Sequence, residues 1–101
     1  MKLALAQMLV EPGQPAANLA RAEQRIGEAA ERGANVVLLP ECLDLGWTHP
    51  SARKLATPIP EGESCQRLIA AARRHRVFVC AGIVERAGAQ LYNAAVLLDP
   101  E

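Results

Sequence analysis

Eight residues, Ala34-Asn35-Val36-Val37-Leu38-Leu39-Pro40-Glu41, constrain the fold of this chain more than any other segment. Apolar side chains at consecutive positions predict a strand covered on both faces, as in a parallel sheet sandwiched by helices. Pro40 has no amide N–H to give to a ladder, so strand pairing is expected to stop there. Glu41 then stands just past the carboxyl end of a parallel strand, where open α/β sheets bind ligands and do chemistry. On its own, a carboxylate in that place is an ordinary helix cap or a solvated loop charge. The rest of the chain decides between these readings.

The segments on either side supply a β–α–β unit. Lys2 to Leu9 reads as a strand, and Glu11-Pro12-Gly13-Gln14-Pro15 as a loop. Leu19, Ala22, Ile26, Ala29 and Ala30 then recur on one helical face, with Arg21, Glu28, Glu31 and Arg32 outside it. Gly33 suits the left-handed position that ends such a helix. Two strands joined in this way are parallel, with a right-handed crossover. A long irregular stretch from Glu41 to Pro60 follows, and loops of that length in a compact domain tend to be functional. Ser64 is the expected N-cap of a second helix running from Cys65 to about His75, with Leu68, Ile69 and Ala72 inward. Its last turn carries Arg73, Arg74, His75 and Arg76, where cations suit the helix dipole. Val77 to Val84 is a buried strand, Glu85 to Gln90 a turn, and Leu91 to Leu98 the return strand of a hairpin. The expected order is β-α-β-α-β-β in a single α/β domain.

Composition removes several function classes. The 101 residues carry 11 basic and 11 acidic side chains with no block of like charge, so neither a nucleic-acid stripe nor a membrane-surface arm is present. No apolar stretch approaches membrane-spanning length, and Leu3-Ala4-Leu5-Ala6 is too short for a signal peptide core. A soluble, cytoplasmic protein is the expectation. Cys42, Cys65 and Cys80 are odd in number and lack Cys-x-x-Cys spacing, so they fit neither a disulfide framework nor a zinc site. Neither early strand leads into a Gly-x-Gly-x-x-Gly or Gly-Lys-Ser/Thr loop, which weakens a third reading as a nucleotide- or phosphate-binding domain.

Several motifs, in order, resemble the nitrilase superfamily of carbon–nitrogen hydrolases. They are Leu3-Ala4-Leu5-Ala6-Gln7, Asn18 on the first helix, and Gly33-Ala34 before Val36-Val37-Leu38-Leu39-Pro40-Glu41. Gly46-Trp47, Gly82-Ile83-Val84-Glu85-Arg86 and Leu91-Tyr92-Asn93-Ala94-Ala95-Val96-Leu97-Leu98-Asp99-Pro100 complete the set. The resemblance implies the N-terminal part of an α-β-β-α sandwich. It also implies hydrolysis of a small non-peptide amide, nitrile or carbamoyl compound by a Glu-Lys-Cys triad, without cofactor or metal. Glu41 matches the general base. The family's lysine and cysteine lie in segments beyond Leu98, and neither Lys2 nor Lys54 fits the pattern. Residues 1–101 therefore read as an incomplete carbon-nitrogen hydrolase domain, cut before its next element because Asp99-Pro100 is a turn signal. The resemblance further implies a homodimer or higher homo-oligomer.

The remaining tempting residues are weighed individually. Cys42 adjoins Glu41, but a neighbour in sequence usually points elsewhere, and the family's nucleophile lies far downstream. Trp47 is a candidate substrate-binding residue and equally a loop anchor. His49 reads as a solvated loop residue and His75 as a helix-terminal charge. Asn93, inside an apolar strand, is expected to hydrogen-bond a nearby loop rather than contact substrate, Tyr92 likewise, and Glu85 to be solvated or paired with Arg86. The competing function is a non-catalytic, truncated or split-chain interaction module.

Overall fold

The computed structural model describes residues 1–101. Four strands, β1 (Leu3–Leu5), β2 (Val36–Leu38), β3 (Phe78–Ala87) and β4 (Gln90–Leu98), form one sheet in the order β1-β2-β3-β4. The first three are parallel, and β4 returns antiparallel beside β3. Three helices, α1 (Pro15–Glu31), α2 (Ala52–Leu55) and α3 (Glu63–His75), complete the chain.

The α/β reading and the β–α–β start agree with this architecture. Pro15 occupies the first turn of α1, where its missing N–H costs nothing. Gly33, at φ +85°, turns the chain out of the helix while the N–H of Ala34 returns to the carbonyl of Ala29.

Because sequential parallel strands lie side by side and each crossover has the same hand, α1 and α3 stack on one face of the sheet. Leu19, Ala22 and Ile26 from α1 and Leu68, Ala71 and Ala72 from α3 meet Val37, Val79, Ala81 and Ile83 there. An ion pair between Arg67 Nη2 and Glu23 Oε1, at 2.5 Å, ties the two helices across their outer edge.

The opposite face differs from the sequence expectation of a strand run covered on both sides. Leu5 and Leu97 are each 70% exposed and Leu38 is 41% exposed, with Leu3 and Phe78 also open. Only the upper part of this face is covered, where Cys42, Leu45, Ala52 and Ala56 pack on Val84.

Four local expectations are also corrected. β1 spans three residues rather than eight, because after the N–H of Ala6 bonds to the carbonyl of Leu38 it has no partner. The irregular 41–60 stretch contains α2, and Arg86 donates to the carbonyls of its first two residues, Ala52 and Arg53, and to that of Ala56 just beyond its end. Arg86 is thereby occupied, and Glu85 is not its partner. Gly62, not Ser64, is the N-cap of α3, and the hydroxyl of Ser64 points elsewhere. The hairpin is tighter than expected: β3 runs on through Ala87, leaving Gly88-Ala89 as the turn.

Candidate active site

The ladder between β2 and β3 decides where Glu41 goes. Leu39 N–H donates to the carbonyl of Cys80 at 2.8 Å, and Gly82 N–H donates to the carbonyl of Pro40 at 3.0 Å. Pairing thus continues through the proline carbonyl. The absent N–H would have faced β1, which has already left the sheet. Leu43 N–H then reaches the carbonyl of Gly82 at 2.9 Å, so residues 41–45 form a turn lying against β3. Glycine at 82 is required by this close approach. A Cβ there would stand 2.6 Å from the Cα of Glu41 and 3.2 Å from both the nitrogen of Cys42 and the carbonyl oxygen of Pro40.

Glu41 is exposed and caps no helix. Its one polar contact is with the side-chain amide of Asn93 on β4, 3.5 Å from Oε1. It lines a hollow of about 200 Å³ together with Leu38, Cys80, Gly82, Asn93 and Ala95. A larger cleft, about 380 Å³, opens beside it between Trp47, His49, Arg53, Leu91, Tyr92 and Asn93. Trp47 is 64% exposed and lines only this cleft, and Glu41 lines only the hollow. Asn93 borders both, so the two residues singled out from sequence are neighbours across one asparagine rather than walls of one pocket.

Asn93, exposed on β4, bonds the adjoining turn as expected. Its Oδ1 receives the thiol of Cys42 at 3.6 Å. Cys42 is only 3% exposed, at φ +47°. Burial first, then the carboxylates of Asp44 and Glu41, push its thiol above the ordinary value of 9.0. A thiol held protonated is a poor nucleophile. Cys65 is likewise buried and pushed up, by burial and then by Glu61.

The residue that sequence reasoning missed is Asp44, fully buried. Its Oδ2 receives the hydroxyl of Ser64 at 2.8 Å, and its Oδ1 receives the N–H of Val84 at 3.1 Å. Its own carbonyl receives Nδ2 of Asn18 at 2.8 Å, and Asn18 also grips both the N–H and the carbonyl of Glu11. Burial raises the Asp44 carboxyl above 3.8 in spite of these donors. The available signal was an acid flanked by two leucines in Leu43-Asp44-Leu45, a polar group set into an apolar run.

Neither lysine approaches Glu41 by a polar contact. Lys2 sits at the other end of β1, with Nζ on the carbonyl of Arg32 at 2.8 Å, and Lys54 is exposed on α2. His49 is bound to Ser51, with its Nδ1 2.7 Å from the hydroxyl oxygen. No group of three or more His, Cys, Asp or Glu side chains converges in a metal-ligating arrangement, and no helix is long and apolar enough to cross a membrane.

Comparison with known proteins agrees with the fold. The carbon-nitrogen hydrolase family profile matches residues 2–101. A nitrilase of Pyrococcus abyssi is 39% identical over 99% of this chain and 39% of its own length. An omega-amidase of Xenopus tropicalis is 37% identical over 99% of this chain and 36% of its own length. The chain thus spans less than two-fifths of each. Among solved structures, an amidase from Nesterenkonia sp. superposes with a TM-score of 0.86 at 24% identity, covering 99% of this chain and 38% of that one. A CN-hydrolase superfamily protein from Xanthomonas campestris superposes with a TM-score of 0.85 at 19% identity, covering 97% and 36% respectively. These two likenesses show the α/β fold, and the profile and sequence matches show the family. The chain belongs to the carbon-nitrogen hydrolase family.

Proposed function

We propose that residues 1–101 are the leading part of a thiol-dependent carbon–nitrogen hydrolase in which Glu41 is the general base. The observation that carries this reading is the placement of Glu41. It stands at the carboxyl end of a central parallel strand, beside a hollow, with one long contact to Asn93 and no ion pair. A carboxylate presented at the sheet's edge and free of a cation is available to accept a proton. In the family's chemistry, that proton comes from a cysteine thiol. The thiolate forms a bond to the amide carbon, the C–N bond breaks, and the amine leaves with the proton. Water then releases the acyl group from sulfur. A lysine ammonium beside the carboxylate would stabilise the oxyanion. Both partners come from the part of the protein beyond these residues, a reading supported by the share of the relatives' length that this chain covers.

The substrate is a small non-peptide amide, nitrile or carbamoyl compound, with Trp47 forming one wall of its approach through the neighbouring cleft. No cofactor enters this scheme. Three free cysteines suit a reducing, cytoplasmic setting, and a homo-oligomer is the proposed assembly. The open apolar face favours a second reading of this chain taken alone, an association module without turnover. Ammonia release from small amides by the full-length protein tests the first. Glu41→Gln is expected to lower kcat/KM by roughly 10²- to 10⁴-fold without changing the melting temperature. Retention of the parent rate by that variant would overturn the assignment.

A further inference from the structure

We infer that Asp44 is a positioning residue for Glu41, tying the turn 41–45 to the same ladder rung from which Asn93 reaches Glu41. The inference rests on the reading of Glu41 as the general base. Val84, whose N–H donates to Asp44 Oδ1, lies directly opposite Asn93 in the β3–β4 register. At this level β2 has given way to the turn, so the N–H of Val84 has no strand partner on that side. The Asp44 carboxyl takes the place of the missing strand. Its second oxygen, held by Ser64 on α3, prevents the turn from rocking about that single bond. The carboxylate of Glu41 and the amide of Asn93 are thereby referenced to one rung through two short paths, one through the turn and one across β4.

A fold in need only of filler would place leucine here, between Leu43 and Leu45. A buried acid costs desolvation and is tolerated where its directed bonds are used. Ser64, Asn18 and Asp44 together draw α3, α1 and β3 to one turn. The backbone of Asp44 is held separately by Asn18, so removing the side chain leaves the turn anchored at its carbonyl. Asp44→Ala is therefore expected to fold with Glu41 displaced.

The test uses the full-length protein with asparagine-selective ¹⁵N labelling and steady-state kinetics. In the parent, the Asn93 side-chain amide resonances should report its contact with Glu41, so that Glu41→Gln moves them. Asp44→Ala is expected to uncouple the two and to lower kcat by about tenfold to a hundredfold, with KM nearly unchanged. Asp44→Asn can accept from Val84 through its amide oxygen and donate to Ser64, so it should restore the coupling and most of kcat. If Asp44→Ala melts at a lower temperature but keeps both the coupling and the parent kcat, the residue is only structural and the inference fails. If the parent shows no hydrolysis dependent on Glu41, the catalytic reading fails, and the amide resonances still decide whether Asp44 positions Glu41.

Discussion

The two faces of this sheet are made from the same strands and do opposite things. The helix-side residues Val37, Val79, Ala81 and Ile83 are all but sealed beneath α1 and α3. On the other face of the same sheet, Leu5, Leu38, Phe78 and Leu97 stand open. The site belongs to the second face, where residues 41–56 fold over its upper part and Glu41 meets Asn93. Folding stability in these 101 residues thus comes mainly from one face, and the candidate site lies on the other. A strand's period of two makes this division possible, since alternate residues are free to answer to different demands.

Substitutions can break the comparison. On the sealed face, Leu68→Ala leaves a cavity under α3 and should destabilise by about 2–5 kcal/mol, read from denaturant unfolding. An effect below 1 kcal/mol would mean that this face is not the source of stability. At the seam, Gly82→Ala forces a methyl against the Cα of Glu41 and should cost about 1–3 kcal/mol. It should also displace the turn, which ammonia-release kinetics would register as a loss of kcat in the full-length protein. On the open face, Leu97→Ser should change the stability of the 101-residue chain by no more than about 0.5 kcal/mol while reducing its self-association in light scattering. A large loss of stability would show that this face is already covered in solution.

Acid–base behaviour sharpens the contrast between the exposed Glu41 and the buried Asp44. The Asp44 carboxyl is raised in the folded state, chiefly by burial, so the folded chain holds its proton more tightly than the unfolded chain. Its penalty is absent below about pH 3.8 and grows as pH rises through the raised value. Asp44→Asn removes that dependence. The stability of this variant relative to the parent should therefore increase across that window, as followed by thermal melts from acid to neutral pH. A flat difference would mean that the carboxyl is not desolvated. Cys42, buried and held protonated, should react with iodoacetamide far more slowly in the folded chain than in denaturant.

Much of this was legible in the residues. The period of α1 from Leu19 to Ala29, the turn at Gly33, the short apolar strand before Pro40 and the β3–β4 hairpin are local events, encoded by local spacing and backbone chemistry. What was not legible depended on partners distant in sequence. The open face follows from the strand order, which no single strand reveals. Ser64 looked like a cap because a serine before a helix usually is one, yet its hydroxyl serves Asp44, 20 residues earlier. Helix α2 is four residues long, and the side chain that bonds its carbonyls, Arg86 from β3, stands 30 or more residues away. Glu41 and Asn93 were each noticed separately, and only the β4 register brings them together.

Acylation of the full-length protein is the most direct test of Glu41 as the base. In a rapid-quench experiment with a small activated amide, intact-mass spectrometry should show one acyl adduct on a cysteine other than Cys42 within the first turnover. Glu41→Gln, equally folded by circular dichroism, should show none on that timescale. An adduct forming at the parent rate in Glu41→Gln, or an adduct mapped to Cys42, would contradict the account.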